Sequence, residues 1–330
     1  MALTLLQIVQ KVQAELGLPQ ATSVVGNQDQ TTQQLLALAN RCLDELRVAN
    51  ETGWTALQFE YDIVVPIPIT TSGNLATQFT NQISSIPSTT GILANYTSIS
   101  GTQLPQGARV ITVNDPNTIT MNMEATNTAA ITDASFIFAQ DTFPEPPGMD
   151  FFQNRTMWDR TNRWELIGPT SPQTDQWHKS GIVTTGPRRH FRQLGPFANN
   201  WQIWPPPFEL QSPLQLVFEY LSVNAVIVQG GAAVPPTTPT YAQYFANDTD
   251  TSLLNDQAII TGMKWMFWEI KGMGSYVTLQ NRWVDYVDRL IARDGASETL
   301  QLAKRVSPIF LSPSNVQDGF FPGPVGPNTG

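Results

Sequence analysis

Helical periodicity is confined to the two ends of this chain, and that distribution most constrains the fold. Near the start, apolar side chains recur every three to four residues over 4–16 and again from 35 to about 50. The same spacing returns only over 253–271 and 276–293. Each pattern is amphipathic, so each helix has to bury one face against another element. The sequence therefore predicts that helices from both ends pack together as a four-helix bundle unit.

The residues between these helical patterns indicate strands. Apolar residues alternate from Ile63 to Ile69, and strand-like runs return at Trp201–Trp204 and Leu214–Tyr220. Because proline donates no backbone hydrogen bond, the run 205–207 predicts a hairpin loop or a sheet edge. The predicted fold class is α+β, with a four-helix bundle unit, a β-rich middle region, an inserted small β-domain and an extended C-terminal arm.

The stretch 72–140 differs from its surroundings. It carries one basic residue, Arg109, and three acidic ones, Asp115, Glu124 and Asp133, and it is rich in Thr, Ser and Asn. Short β-prone runs alternate with turn residues, a pattern typical of a small β-domain. We therefore predict an insertion. The full set of predicted boundaries is an N-terminal helical hairpin at 1–60, a β-rich region at 61–71 and 141–244, the inserted β-domain at 72–140, a C-terminal helix pair at 245–300 and an arm at 301–330.

The predicted arm combines apolar side chains with residues that prevent regular structure. From Val306 to the end there are five prolines and four glycines. Such a segment is too short and too interrupted to fold alone, and it is too apolar for a solvating tail. It is typical of an extended peptide that docks on a partner. The candidate docking residues are Val306, Ile309, Phe310, Leu311, Phe320 and Phe321.

Composition argues against an enzyme. The chain holds one cysteine and two histidines, and no metal-binding, nucleophile or phosphate-loop motif occurs. Cys42 lies in a helical pattern and is predicted to be a buried core residue, while His178 and His190 are predicted to be loop histidines. We expect no catalytic residue, cofactor or metal; a hydrolase that uses one of these histidines is the least favoured alternative. Asp250 or Thr251 is predicted to cap the following helix.

A run of arginines marks a candidate interface. Between residues 155 and 192 there are seven Lys and Arg residues against Asp159, Glu165 and Asp175. The whole chain has a net charge of −9, so a specific reader of DNA is a minority alternative. Ion pairs with a neighbouring protein are favoured. The candidate subunit or tail interface residues are Arg155, Arg160, Arg163, Arg188, Arg189 and Arg192.

Two further features of the sequence indicate what the protein surface contacts and where the chain is made. Only 14% of residues are charged, against about 25% in an ordinary soluble domain, which suggests that much of the surface faces protein. No apolar run approaches the length of a membrane span and no signal peptide is evident, so synthesis in the cytosol without membrane contact is expected. The nine tryptophans leave a carbohydrate-binding module as an alternative, although Trp201, Trp265 and Trp283 occupy positions typical of core or interface.

An ordered set of short motifs resembles a known family. A helix ends at Gly17–Pro19, a second helix carries Ala39–Asn40, and Gly53–Trp54 precedes the first strand. Later come Trp204–Pro205, then Phe218–Tyr220. The set closes with Asp248–Asp250, Leu253–Asp256 and Lys264–Trp265. This order resembles the tail tubular protein A type of head-to-tail adaptor in short-tailed bacteriophages. Residues 83–138, with a turn at Gly101–Gly107 and a strand at Thr118–Met121, resemble a β-module inserted in various phage structural proteins.

The resemblance implies a structural virion protein. Members of that family form a dodecameric ring that joins the portal to the tail nozzle, lines the channel for exiting DNA and inserts its C-terminal arm between portal subunits. It therefore implies four partners: further copies of the chain, the portal protein, the nozzle protein and passing double-stranded DNA without sequence-specific binding. The implied location is the virion's head-tail interface, after synthesis in the host bacterial cytoplasm. A neck or head-completion protein of a longer-tailed phage is the alternative within phage biology.

Overall fold

The computed structural model describes residues 2–76, 79–153, 155–180, 189–194, 200–229 and 240–295. Five α-helices and seventeen strands are formed by these residues. The helices are α1 (Leu5–Leu16), α2 (Gln30–Ala49), α3 (Pro172–Lys179), α4 (Asp256–Ile270) and α5 (Tyr276–Asp294). The strands are β1 (Gln58–Val65), β2 (Ile69–Leu75), β3 (Gln82–Ile83), β4 (Thr97–Gly101), β5 (Val110–Asp115), β6 (Thr118–Met121), β7 (Ile131–Gln140), β8 (Thr142–Pro144), β9 (Met149–Phe152), β10 (Trp158–Asp159), β11 (Trp164–Glu165), β12 (His190–Leu194), β13 (Asn200–Trp204), β14 (Leu214–Ser222), β15 (Val226–Val228), β16 (Thr240–Ala242) and β17 (Thr251–Ser252).

The chain divides into two compact units. The first takes its described residues from Met1–Glu60, Pro147–Phe152 and Glu219–Leu302, so it combines both ends of the sequence. The second takes its described residues from Tyr61–Pro146 and Gln153–Phe218. The boundaries predicted from the sequence for five segments remain predictions.

Local signals account for the helices of the first unit. Thr4 caps α1, where its side chain accepts from the Gln7 backbone N–H and the Gln7 side chain accepts from the Thr4 N–H. Gly17 ends this helix in the left-handed conformation, with φ of 67°. Asp29 caps α2 by accepting from the Thr32 N–H at 2.9 Å, and hydrogen bonds from Thr32 lower the pKa of the Asp29 carboxyl.

Helix α4 is the centre of the first unit, because α1, α2 and α5 all pack against it. Its buried face includes Met263 and Met266, and it lies in one apolar core with residues of α1, α2 and α5. The helices approach closely at Gly262: a Cβ there would lie 2.3 Å from Cys42 Sγ and 2.9 Å from Trp283 Nε1. Cys42 is fully buried, as the sequence predicts, and burial raises the pKa of its thiol.

The four-helix bundle prediction is wrong. The four helices share one apolar core, but strands also occur within the first unit, where β15 pairs with both β16 and β17. The protein is mixed α+β and more β-rich than a four-helix bundle unit. Periodicity identified the helices but did not reveal the short strands that belong to the same unit.

The predicted cap of α4 is also wrong. The helix begins at Asp256, and Asn255 is its cap, with Oδ1 accepting from the Ala258 N–H at 3.1 Å. Asp250 lies earlier and accepts instead from the backbone N–H groups of Ala246 and Asn247. Thr251 belongs to β17, so the chain is extended where the sequence was predicted to enter the helix.

In the second unit, two three-stranded antiparallel sheets lie within the stretch predicted as an insertion. Their orders are β2-β7-β4 and β3-β6-β5. Side chains of both sheets share one apolar core, whose largest fully buried members include Phe136, Phe138 and Ile83. A Cβ on Gly101 would lie 2.5 Å from the Phe136 ring, so the absence of a side chain lets this ring pack onto the backbone of β4.

The strands β13 and β14 do not pair with each other, which corrects the paired arrangement that the family resemblance implies. β13 lies in a sheet of order β12-β13-β8, whereas β14 lies in a five-stranded sheet of order β1-β14-β10-β11, with β9 also on β14. The prolines between them prevent a tight hairpin because they donate no ladder hydrogen bond. The two strands meet through side chains instead: the rings of Trp201 and Phe218 are 5.2 Å apart at 89°.

Candidate functional site

The structure separates the candidate arginines into exposed and paired groups. Arg160 and Arg163 lie in the turn between β10 and β11, and Arg155 lies just before β10; all three are exposed. Asp159 holds this turn by accepting from the Asn162 backbone N–H and side-chain amide, both at 2.8 Å. The turn therefore presents two arginines on one short connection.

The other arginines bind carboxylates of their own chain. Arg189 donates to Pro205 O at 2.7 Å and pairs with Glu209 at 2.5 Å. Arg192 pairs with Asp175 at 2.7 Å. The charges of Arg189 and Arg192 are thus matched by carboxylates within the second unit. Arg188 and the arm residues Val306, Ile309, Phe310, Leu311, Phe320 and Phe321 lie outside the described residues.

Helix α3 was not predicted from the sequence, which was interpreted there as loop. Ser171 caps it by accepting from the Thr174 N–H at 3.2 Å, and Pro172 occupies the first helical position. A Ser-Pro step before a polar run is a recognised helix start, and this signal could have revealed the helix. The buried side chains of α3 are Asp175 and His178, both titratable, while Trp177 is 52% exposed.

A chain of buried polar groups runs from α3 to β13. Asp175 accepts from Lys179 Nζ at 2.8 Å and from Arg192 Nη1 at 2.7 Å. Lys179 Nζ also donates to Gln202 Oε1 at 2.8 Å, and it lies over the ring of Trp204, 5.6 Å from the centroid. Helix α3 is therefore held on the β12-β13 pair by ion pairs, an amide hydrogen bond and ring contacts.

The same chain continues to Asp141, beside β8. Gln202 Nε2 donates to Asp141 Oδ2 at 2.6 Å, and Ser98 Oγ donates to the same oxygen at 2.8 Å. Arg109 Nη2 lies 3.4 Å from Asp141 Oδ1 and donates to Thr142 Oγ1 at 2.6 Å. Gln202 is thus the link, since its amide donates to one carboxylate and accepts from the lysine.

Asp141 is fully buried, and this burial sets its proton affinity. Removal from water raises the pKa of the Asp141 carboxyl, against the opposing effects of Arg109 and of hydrogen bonds from Gln202, Ser98 and Thr142. Arg109, the one basic residue that the sequence shows in 72–140, is therefore the ion-pair partner of a buried acid. The sequence does not indicate this role, because the two residues lie far apart along the chain.

The two histidines of the chain form a stacked pair. The rings of His178 on α3 and His190 on β12 have centroids 4.4 Å apart at 33°. The Nδ1 atom of each ring is buried and has no hydrogen-bond partner among the described residues. Burial and the neighbouring His178 lower the pKa of His190. The prediction of two loop histidines is therefore wrong, because one lies on a helix, the other on a strand, and their rings touch.

The turn between α4 and α5, with the adjoining residues of both helices, carries a second candidate surface. Ile270, Met273 and Val277 lie there and are each at least 43% exposed, while Val284, also 43% exposed, lies farther along α5. Clustered exposed apolar side chains mark protein interaction sites more often than scattered ones. By contrast, Trp201, Trp265 and Trp283, which the sequence assigns to core or interface, are buried.

Metal sites and membrane-spanning helices are two further features to consider in the described residues. No group of three or more His, Cys, Asp or Glu side chains that could hold a metal ion is found in this part of the chain. Among the helices that the structure describes, none is both long and apolar enough to cross a membrane.

Comparison of the sequence with models of known protein families gives no match, and comparison with curated proteins gives no significant match either.

Proposed function

We propose that this chain is a structural, non-catalytic virion protein: a head-to-tail adaptor that assembles as a ring between the portal and the tail nozzle of a short-tailed bacteriophage. In this role it stabilises the filled head and surrounds exiting DNA without reading its sequence. Its partners are further copies of itself, the portal and the nozzle.

The observation that carries the proposal is the spatial meeting of the motif-bearing segments. Gly17 ends α1, Ala39–Asn40 lies within α2, and Lys264–Trp265 lies within α4. These helices share one apolar core, together with Trp54 of the Gly53–Trp54 step. Segments that resemble the adaptor family, and that are about two hundred residues apart along the chain, thus form one unit.

Direct contacts strengthen this unit at the motif residues. Trp54 Nε1 donates to Leu46 O at 2.6 Å, which holds the Gly-Trp step against α2. Asn40 Oδ1 accepts from the Phe245 N–H at 3.0 Å, and Asp248 accepts from the N–H groups of Val24 and Val25. The motif residues therefore have structural tasks in joining the two ends, which is consistent with an assembly protein.

A truncation tests the role of the arm. Removal of residues 306–330 should leave a soluble protein that unfolds at nearly the same temperature but no longer binds the portal protein of the same phage. A full-length variant, I309D/F310D, tests the apolar contact itself, and K304S/R305S serves as the matched control that keeps the apolar residues. Undiminished portal binding by both the truncated chain and I309D/F310D would contradict the docking role.

A further inference from the structure

We propose that the stacked pair His178–His190 makes the docking of helix α3 acid-sensitive, so that α3 leaves the β12-β13 pair when His190 becomes protonated. This inference concerns a conformational device in the second unit and goes beyond the proposed adaptor function. It rests on how α3 is held, on the charges around the two rings, and on the fact that the chain contains no other histidine.

The contacts of α3 make its docking depend on charge. Its buried side chains are Asp175 and His178, so the helix contributes no buried aliphatic or aromatic hydrocarbon side chain to a core. Docking therefore relies on the Asp175–Arg192 ion pair, the Lys179–Gln202 hydrogen bond and the histidine stack. Because apolar burial is insensitive to pH and these contacts are not, a change of charge at the helix can release it.

The Nδ1 atoms of the two rings have no hydrogen-bond partner among the described residues that could hold an added proton there. On α3 and β12, two cations share the single carboxylate of Asp175, and Arg189 is matched by the 69% exposed Glu209. The segment before the Ile167–His190 bridge supplies one acid, Gln193 of β12 and Gln202 of β13 donate to two more, and β13 supplies the uncharged Trp204 opposite His190. The charged groups on the neighbouring elements are Lys179, Arg189, Arg192, Asp175, Glu209, Glu165, Glu145 and Asp141.

The direction of the effect follows from the pKa of His190. In an unfolded chain a histidine titrates near 6.5, and in this protein burial and His178 lower the value for His190. The neutral ring therefore contributes stability that is fully present above pH 6.5 and is lost as the pH falls through the lowered pKa. Protonation of His190 also places a positive charge against the ring of His178, 4.4 Å away in the stack, and the electrostatic effect of His178 opposes that charge.

Release of α3 would uncover a defined surface. Lys179 now covers the ring of Trp204 and occupies the amide oxygen of Gln202. Once the helix leaves, Trp204 on β13 and Trp177 on α3 both gain solvent, and the Gln202 amide is free to accept from another donor. The solvent exposure of both tryptophans therefore reports the release of α3.

Hydrogen exchange of the untagged protein tests the proposal. After correction for the intrinsic pH dependence of exchange, amides of residues 173–180 should exchange severalfold faster at pH 5.5 than at pH 7.5, because protonation of His190 favours the released helix. Amides of α2 in the same samples should not change. His190→Gln should abolish the pH dependence, and Gln176→His, which adds a histidine at an exposed position of α3, should not alter it.

A titration of the histidine ring resonances gives a second test, because it measures the pKa of His190 itself. With only two histidines, the ring resonances of His190 can be assigned by comparison with His190→Gln. A His190 pKa below 6.5, together with faster exchange confined to α3, supports the proposal. A His190 pKa at or above 6.5, equal α3 protection at both pH values, or a pH dependence that persists in His190→Gln would overturn it.

Discussion

Each unit has an apolar core, but the two units differ in the polar groups that they bury. In the first, α1, α2 and α5 bury apolar side chains against α4, with a glycine allowing the closest approach. In the second, a continuous line of charged and amide groups runs from Asp175 through Gln202 to Asp141. Apolar burial is non-directional and tolerates pH, whereas a buried polar chain is stable only if every group keeps its partner. The first unit should therefore resist changes of solution conditions that alter the second.

The largest expected effect comes from a cavity in the helical core. Leu43 on α2 is 2% exposed, and Leu43→Ala should lower the free energy of unfolding by about 2–5 kcal/mol. Val48 on the same helix is 68% exposed, so Val48→Ala should change it by less than about 0.5 kcal/mol. Urea unfolding at two pH values checks both. If the loss of unfolding free energy in Leu43→Ala varied strongly with pH, it would contradict the difference proposed between the units.

The next effect tests the close approach of helices. Gly262→Ala places a Cβ against Cys42 and Trp283, and the strain should cost about 1–3 kcal/mol despite the better helix propensity of alanine. Gly274→Ala, in the open turn before α5, is the control and should be neutral or stabilising. Adding Cys42→Ala to Gly262→Ala should recover part of the loss in a double-mutant cycle. Purely additive losses would argue against a contact at this crossing.

A third prediction concerns the buried acid of the second unit. Asp141→Asn keeps one oxygen for Ser98 and Gln202 but replaces the oxygen that accepts from Thr142 and faces Arg109 with an amide donor, so it should cost about 1–3 kcal/mol at pH 4. Because the folded pKa of Asp141 is raised, the stability it contributes is fully present below pH 3.8 and is lost as the pH rises through that pKa. The difference from the wild type should therefore shrink at pH 7.5. Asp115→Asn, at an exposed turn of the same module, is the control; a difference that grows with pH would contradict this account.

The smallest effect belongs to an exposed ion pair of the first unit. Arg41 and Glu45 are one helical turn apart on α2, and their side chains are 48% and 33% exposed. Solvent screens such a pair, so Arg41→Ala should change stability by less than about 0.5 kcal/mol, and added salt should reduce the effect further. Thermal unfolding at low and high salt measures it. A loss as large as that of Asp141→Asn would mean that exposed charge matters as much as the buried network.

Much of the fold could be predicted because helix and strand periods are local. The helical patterns at both ends and the strands within 72–140 lie close to where the structure places them, and Cys42 is buried as its neighbours indicate. The strands β15, β16 and β17 of the first unit could not be predicted, because a period of two is not visible over so few residues. The pairing of β14 could not be predicted either: β13 is adjacent to it in sequence, yet β14 pairs with β1, β9 and β10, while β13 pairs with β12 and β8.

The candidate site was the least predictable part. The sequence shows seven basic residues, but it does not show that Arg189 and Arg192 are neutralised within the chain while Arg160 and Arg163 are exposed. The network around Asp141 joins residues from Ser98 to Gln202, and no spacing rule relates them. Helix α3 is the exception, because the Ser171–Pro172 start is visible in the sequence.

The adaptor function is tested most directly by imaging and mass measurement of the purified protein, alone and mixed with the portal protein of the same phage. We predict a closed ring, formed alone or on the portal, whose symmetry matches that of the portal. A protein that stays monomeric and shows no affinity for the portal would contradict the account, and the exposed Trp177 would then direct the search toward glycans.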